Sequence, residues 1–291
     1  MILVTGAAGK TGNAVVKALA AKGAAVRALV RRSEHIDALK QIGAAEVSIG
    51  SFEDAGAVAD AVAGTQAIYH ICPNVCASEF DYARSIATAV RACGVKRFVY
   101  HSVLHPQIEA MPHHWQKMRT EQMLLAMDLD LTILQPAAYM QNLLGVWRGI
   151  VEAGVLRIPY PALTRLSLVD LDDVAAAAAI VMSSDGHGGA TYELAGTAPL
   201  SQSEVAATIG VTLNKIIRVK VETVEAWEAR ARAAGMGDYE AQTLAAMFRY
   251  YAEHGLIGNS NTLRWLLGRA PNNLAGFVSR VLKAHGRMLT N

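Results

Sequence analysis

Along this chain, short apolar runs of strand length alternate with longer stretches whose apolar residues recur every three or four positions. The runs are MILV (residues 1–4), AAVRALV (24–30), AEVSIG (45–50), AIYHIC (67–72), RFVYHS (97–102) and LTILQP (131–136). Between them lie the helical stretches 13–22, 55–64, 80–93 and 115–127, several closed by glycine as helix C-termini commonly are. Runs that are apolar on both faces belong to a sheet covered on both sides, so the pattern predicts an α/β fold with a doubly wound parallel sheet. Beyond residue 136 the rhythm changes to helical segments at 202–209, 224–234, 239–254 and 275–285, which read as a smaller, mostly helical C-terminal lobe. Strand-like TYELAG (191–196) follows a helix at 172–182, so the chain is expected to re-enter the main sheet near 166–196. The division expected is a nucleotide-binding domain over 1–150 and a capping lobe over 151–291.

The first loop carries the sharpest motif. TGAAGKTG (Thr5 to Gly12) sets Gly6, Gly9 and Gly12 at a spacing of three, between an apolar strand and a helix. This is a Rossmann-type dinucleotide turn. Gly6 turns tightly, Gly9 lets backbone approach a pyrophosphate, and Gly12 permits close packing of the helix on the strand. The pyrophosphate is expected against Ala8, Gly9, Lys10, Thr11 and Gly12, at the positive end of the helix dipole. A triphosphate-binding loop would need a further glycine upstream of Lys10, where Val4 and Thr5 stand. After the second strand come Arg31 and Arg32, the first of them nineteen residues beyond Gly12, where an NAD enzyme usually offers a carboxylate. Guanidinium groups bind phosphate in a bidentate way, so NADP(H) is expected over NAD(H). Glu34 lies too far along to be a ribose ligand.

Composition narrows the class. The 291 residues are 52% hydrophobic, enough for a large core and an appended lobe. The net charge of +2 comes from scattered basic residues, which implies neither a nucleic-acid groove nor a membrane patch. The longest apolar stretch, 174–182, is far short of a membrane span, and with no leader pattern visible a cytoplasmic location is expected. Cys72, Cys76 and Cys93 lack metal-ligand spacing and read as small buried residues, although Cys72 and Cys76, flanking Pro73 after a strand, could place a reactive thiol at the cofactor edge. No metal site is expected.

Taken together, several stretches resemble the NmrA-like group of atypical short-chain dehydrogenase/reductases. They are TGAAGKTG, the RR pair, GVKRFVYHS (94–102), HHWQK (113–117), LTILQPAAYMQN (131–142), LVDLDDVA (168–175), YELAG, LSQSEVA (200–206) and LLGRAPNNLAGFV (266–278). The resemblance runs almost end to end. It implies an NADPH-dependent reductase of quinone-like or other conjugated acceptors, or a non-catalytic NADP(H) sensor that signals to a regulatory protein partner. A homodimer is compatible with either. In strand three, Gly50 and Ser51 depart from the glycine–aspartate usual there, which puts that adenine contact in doubt.

The Tyr-x-x-x-Lys pair of the wider superfamily is absent, and His113 stands in the tyrosine position. His113 and Lys117 share a helix face. Lys117 would hold the nicotinamide ribose, and His113, with an ordinary pKa near 6.5, could donate a proton to the substrate oxygen. The alternative for His113 and His114, which follow Pro112, is solvated side chains at a helix start. Ser102 matches the superfamily's serine and could orient the same oxygen. Loss of the tyrosine argues against alcohol dehydrogenation and sugar-nucleotide epimerisation, and is tolerable for a quinone. Five methionines between Met111 and Met140, with Trp115, Tyr139 and Trp147, could line a pocket for flat acceptors or could be plain core. Tyr139, as a cofactor contact, and Asn142, with Trp115, as substrate contacts, are the favoured candidates, because ligands of open α/β sheets bind beyond the strands' carboxyl ends.

Overall fold

The computed structural model describes residues 1–288. The strand–helix alternation resolves as β1 (Ile2–Val4), α1 (Lys10–Ala21), β2 (Val26–Val30), α2 (Ile36–Gln41), β3 (Glu46–Ile49), α3 (Ala55–Val62), β4 (Ala67–His70), α4 (Glu79–Ala92), β5 (Arg97–His101), α5 (Pro112–Leu125) and β6 (Asp130–Pro136). The sheet runs β3-β2-β1-β4-β5-β6, with Thr191–Leu194 as the seventh strand beside β6. Every pairing from β3 to β6 is parallel. From β1 the chain winds outward to β3, then returns to lay β4 on the other side of β1. That reversal opens a crevice at the carboxyl ends of β1 and β4, where such sheets bind ligands.

Burial explains the strands. Leu3, Leu29, Ile68, Phe98 and Ile133 from five strands form one fully buried cluster with Val58 and Ala61 of α3 and Ile86, Ala87 and Val90 of α4. Burying each large apolar side chain contributes about 1.5–3 kcal/mol before entropy is set against it. Helix starts follow local chemistry. Pro112 presets the first turn of α5, so that helix begins three residues before the apolar periodicity does and carries His113 in its opening turn. Asp54 caps α3 by accepting from the Ala57 amide at 3.0 Å.

The chain divides into two compact units, residues 1–136 with 174–193, and residues 137–173 with 194 onward. The crossings fall after Pro136, Asp173 and Glu193. The physical reason is that β6 ends at Pro136 and the last sheet strand needs the helix Leu171–Ser183 to bring the chain back.

The second unit holds helices Trp147–Ala153, Gln202–Leu213, Val224–Ala233, Asp238–His254, Ser260–Leu267 and Leu274–Met288. It also contains short strands that helical periodicity hid: Val155–Ile158 pairs in parallel with Arg218–Val221. Inside this unit the stretches LVDLDDVA and LLGRAPNNLAGFV meet. Arg269 donates to the fully buried Asp173 at 2.7 Å, and Arg280 pairs with the fully buried Asp170. Gln141 donates to Asp170 as well, at 2.8 Å. Among the described residues no helix is long and apolar enough to cross a membrane.

Candidate active site

At the end of β1, Thr5 ties the first loop to β4. Its amide donates to Tyr69 O at 3.1 Å, and its hydroxyl donates to Ile71 O while accepting from Ile71 N at 2.9 Å. With that hydroxyl proton spent, the 2.9 Å contact to His70 Nδ1 makes His70 the donor. His70 Nε2, buried and unpartnered, is then a bare lone pair. The glycine turn sits on this clamp. Gly6 has φ +59°, and a Cβ there would lie 2.8 Å from Ile71 O. A Cβ on Gly12 would lie 2.3 Å from Gly6 O and 2.7 Å from Ala7 Cα. Gly12 is therefore demanded by the turn's own backbone more than by the strand. Gly9 is exposed, has an ordinary φ of −73°, and caps α1 without a side-chain hydrogen bond. The first-turn N–H groups of a helix have no intrahelical acceptor, so an uncapped start is suited to an anion.

Ala8 and Lys10 are exposed, and Lys10 makes no ion pair among the described residues. Arg31, exposed after β2, is likewise unpaired. Arg32 differs, since it pairs with Glu34 at 3.1 Å and contacts His35. Of the two arginines expected to hold the 2′-phosphate, Arg31 is the one with its charge uncommitted. The turn, the uncapped helix start and these two cations fit the phosphates of a dinucleotide. Beyond β3, Ser51 Oγ accepts from the Glu53 amide at 3.3 Å.

The second cluster lies around α5. Two adjacent strands carry the dipeptide Tyr-His one residue out of step: His70 lies opposite Tyr100 in the β4–β5 register. His70 and Tyr100 therefore share one face of the sheet, while Tyr69 and His101 share the other and join through Tyr69 Oη and His101 Nδ1 at 2.8 Å. Burial pushes His70 down to about 4 and His101 to about 3, and raises the Tyr100 hydroxyl well above its usual range. Lys117 reaches into this cluster. Its ammonium donates to Glu79 Oε1 at 3.0 Å and to His101 O at 3.1 Å.

Ser102 is buried and its hydroxyl donates to Glu121 Oε1, which also accepts from Gln135 Nε2 at 2.9 Å. Ser102, expected to orient a substrate oxygen, here gives its hydrogen bond to Glu121. Glu121 itself has a raised pKa because burial outweighs those hydrogen bonds.

His113 is half-buried, edge-on to His114 with centroids 4.5 Å apart, and its Nδ1 has no partner. Burial, then the neighbouring His114 and Lys117, hold its pKa at about 3. The ordinary value near 6.5 expected for a proton donor does not apply, and the ring is neutral at physiological pH. A buried, unpartnered nitrogen is least costly as a lone pair, which puts the proton on Nε2. His114 is not solvated at all. It is buried, donates from Nδ1 to His105 O at 3.2 Å, and is pushed down to about 4.

Trp115 is 36% exposed on the same turn of α5. Tyr139, in the short strand Ala138–Tyr139, and the exposed Asn142 belong to the second unit. Of the five methionines, Met111 and Met140 are fully buried, and Met123 and Met127 pack against the core, so most of that cluster is core. The cysteines are not uniformly buried either. Cys72 is buried, Cys76 half-buried and Cys93 exposed. The Cys72 thiol donates to Cys76, lowering the latter's pKa to about 7 and, with burial, raising its own.

Sequence reasoning missed Glu79, Glu121 and the Tyr-His pairs. The repeated Tyr-His at two strand ends was the available signal, because polar residues inside apolar strands need partners.

The sheet order, the switch-point crevice and the glycine turn define a Rossmann-type α/β protein of dinucleotide-binding form. The chain belongs to the NmrA-like family, whose model matches residues 1–279. It is 28% identical over 287 residues to quinone oxidoreductase 2 of Escherichia coli, covering 98% of this chain and 100% of that one. It is 26% identical to the NAD(P)H azoreductase of Xenophilus azovorans, over 98% and 99% of the two chains. Among solved structures, the NADPH complex of the E. coli NADPH-dependent quinone oxidoreductase QOR2 superposes with a TM-score of 0.86, at 28% identity, over 97% of this chain and 100% of that one. The Citrobacter sp. triphenylmethane reductase complexed with NADP(H) shares the fold at 23% identity and a TM-score of 0.85, over 96% and 99%.

Proposed function

We propose that the protein is an NADPH-dependent reductase that passes hydride to a quinone-like or other conjugated small-molecule acceptor. The observation that carries this reading is the glycine turn, crowded against Ile71 at Gly6 and against its own backbone at Gly12, beside two cations, Lys10 and Arg31, that make no ion pair among the described residues. Likeness over the full length to relatives named as quinone oxidoreductase and azoreductase supports the reductase class. Ala8, Gly9, Lys10, Thr11 and Gly12 would hold the pyrophosphate and Arg31 the 2′-phosphate, with Arg32 at its flank. Lys117 would hold the nicotinamide end.

Bound NADPH supplies the hydride, and the reduced product needs one proton besides. The chain's own groups decide which acceptors can use it. His113, neutral with its proton on Nε2, can donate a hydrogen bond to a developing oxyanion, as a neutral imidazole does in other enzymes, but it has no imidazolium to give. A simple ketone would become an alkoxide that needs an acid at the site. A quinone becomes a resonance-stabilised anion that takes its proton from water. The exposed indole of Trp115 offers a flat apolar surface for such a ring.

The test follows NADPH absorbance against matched quinones, azo dyes, aldehydes and ketones. Turnover with quinones or dyes is expected to exceed that with simple ketones by about 100-fold or more, the lower end of what acid catalysis contributes. Equal rates on ketones would overturn the acceptor class. Tight NADPH binding without turnover of any acceptor would favour a sensor that passes cofactor occupancy to a partner protein.

A further inference from the structure

The ammonium of Lys117 has three N–H donors. One goes to Glu79 Oε1 at 3.0 Å and a second to the His101 carbonyl at 3.1 Å, with the nitrogen 5.3 Å from the centroid of the Tyr100 ring. Glu79, the first residue of α4, is only 3% exposed, and the same Oε1 accepts the Tyr100 hydroxyl at 2.7 Å. The Lys117 side chain is itself 17% exposed. Its charge is thus balanced by a carboxylate that water barely reaches, and its direction is fixed by two acceptors and a ring. Lys10 and Arg31 are the opposite, exposed and without ion pairs among the described residues.

We propose that Glu79 is a positioning residue: it neutralises and aims Lys117, so that Lys117 presents one remaining N–H to an uncharged hydroxyl of the nicotinamide ribose instead of an open charge to a phosphate. The inference rests on Lys117 being a cofactor contact. A buried ion pair adds little net stability over an apolar pair of the same volume, so stability alone gives no reason for burying these two charges. An aimed single donor does. Tyr100 is the brace of the arrangement, since its hydroxyl and its ring hold the carboxylate and the ammonium from one side.

A double-mutant cycle on NADPH affinity tests this, read by NADPH fluorescence for the wild type, Glu79→Gln, Lys117→Met and the double variant. Lys117→Met is expected to weaken NADPH about 10-fold, the loss of one hydrogen bond to a charged group. Glu79→Gln is expected to weaken it comparably in the wild-type background and by less than about 2-fold when Lys117 is already gone. Equal losses in both backgrounds would overturn the proposal, because Glu79 would then act on the fold and not through Lys117. Unchanged affinity in Lys117→Met would instead overturn the assignment of Lys117 to the cofactor. Should Glu79→Gln fail to fold, Glu79→Asp enters the same cycle; it keeps the charge but withdraws it by one methylene, and the same non-additivity is expected.

Discussion

The two polar regions of the first unit are built on opposite rules. Around the glycine turn, Lys10 and Arg31 are exposed and make no ion pair among the described residues, and the start of α1 has no side-chain cap. Around α5, Lys117, Ser102 and His114 are each bonded to a protein partner, and four histidines are held neutral by burial. Unsatisfied groups at a surface crevice are what a charged ligand completes. Satisfied groups in a core shape and orient, and their chemistry is already spent. On the proposed reading, phosphate would be met by open charge and the reacting end by donors already paired and aimed inside the protein.

The largest loss is expected at Gly12. In Gly12→Ala the new methyl would meet Gly6 O at 2.3 Å and Ala7 Cα at 2.7 Å, both backbone. The turn must open, at a cost of about 3 kcal/mol or more in turn geometry. NADPH binding is expected to fall below detection in calorimetry, with a lower melting temperature. Wild-type affinity in this variant would show that the turn is not the phosphate cradle.

Next is the arginine pair. Arg31→Ala is expected to weaken NADPH by about 10- to 100-fold, the value of a charge-assisted hydrogen bond, and to leave NADH nearly unaffected. Arg32→Ala should do much less, because Arg32 already leans on Glu34 at 3.1 Å. Measuring both dissociation constants for both variants checks this. The reverse ranking would mean that the ion pair yields to the ligand.

How much of this was legible in the sequence follows from where each interaction is closed. The sheet strands and the glycine turn are local, since apolar runs and a spacing of three suffice to place them. Tyr-x-x-x-Lys with histidine in place of tyrosine was legible as a spacing, yet the state of that histidine was not. His113 is neutral because of what buries it, and burial is a tertiary property. Ser102 looked available because Glu121, nineteen residues away and one helix later, is invisible as its partner until the chain folds. Likewise Arg269 and Asp173 are 96 residues apart. The strand Val155–Ile158 was missed because its partner, Arg218–Val221, comes only after the helices Leu171–Ser183 and Gln202–Leu213, and a short run alone does not tell strand from loop.

Acid acts on the buried histidines around α5. His70, His101, His113 and His114 all have folded pKa values lowered from about 6.5 to about 3 or 4. Between those limits the unfolded chain binds more protons than the folded one, so stability is complete above about pH 6.5 and is lost as pH falls toward 4. Each histidine contributes a slope of at most about 1.4 kcal/mol per pH unit. Urea midpoints measured from pH 7 to 4.5 should fall steeply, and His113→Phe, which removes a ring whose Nδ1 had no partner, should flatten the fall. An unchanged slope would mean that His113 is charged in the native state.

The gentlest probe is the β4–α4 loop, which joins the two regions: Ile71, against Gly6, is followed at once by Cys72. The thiol of Cys72 donates to Cys76, and this contact, helped by the Ser78 amide, brings Cys76 down to about 7 against the opposing effect of burial. Alkylation of Cys76 by iodoacetamide, read by peptide mass spectrometry, should therefore rise through a midpoint below that of an ordinary thiol, near neutrality. Cys72→Ala removes the donor and should move that midpoint upward while sparing the fold of the sheet. A midpoint that stays put in Cys72→Ala would show that the neighbouring thiol is not what activates Cys76. Bound NADPH adds a distinction of its own, because slower alkylation in its presence would bring this loop into the phosphate-gripping region, whereas an unchanged rate would leave it with the satisfied, prearranged side of the molecule.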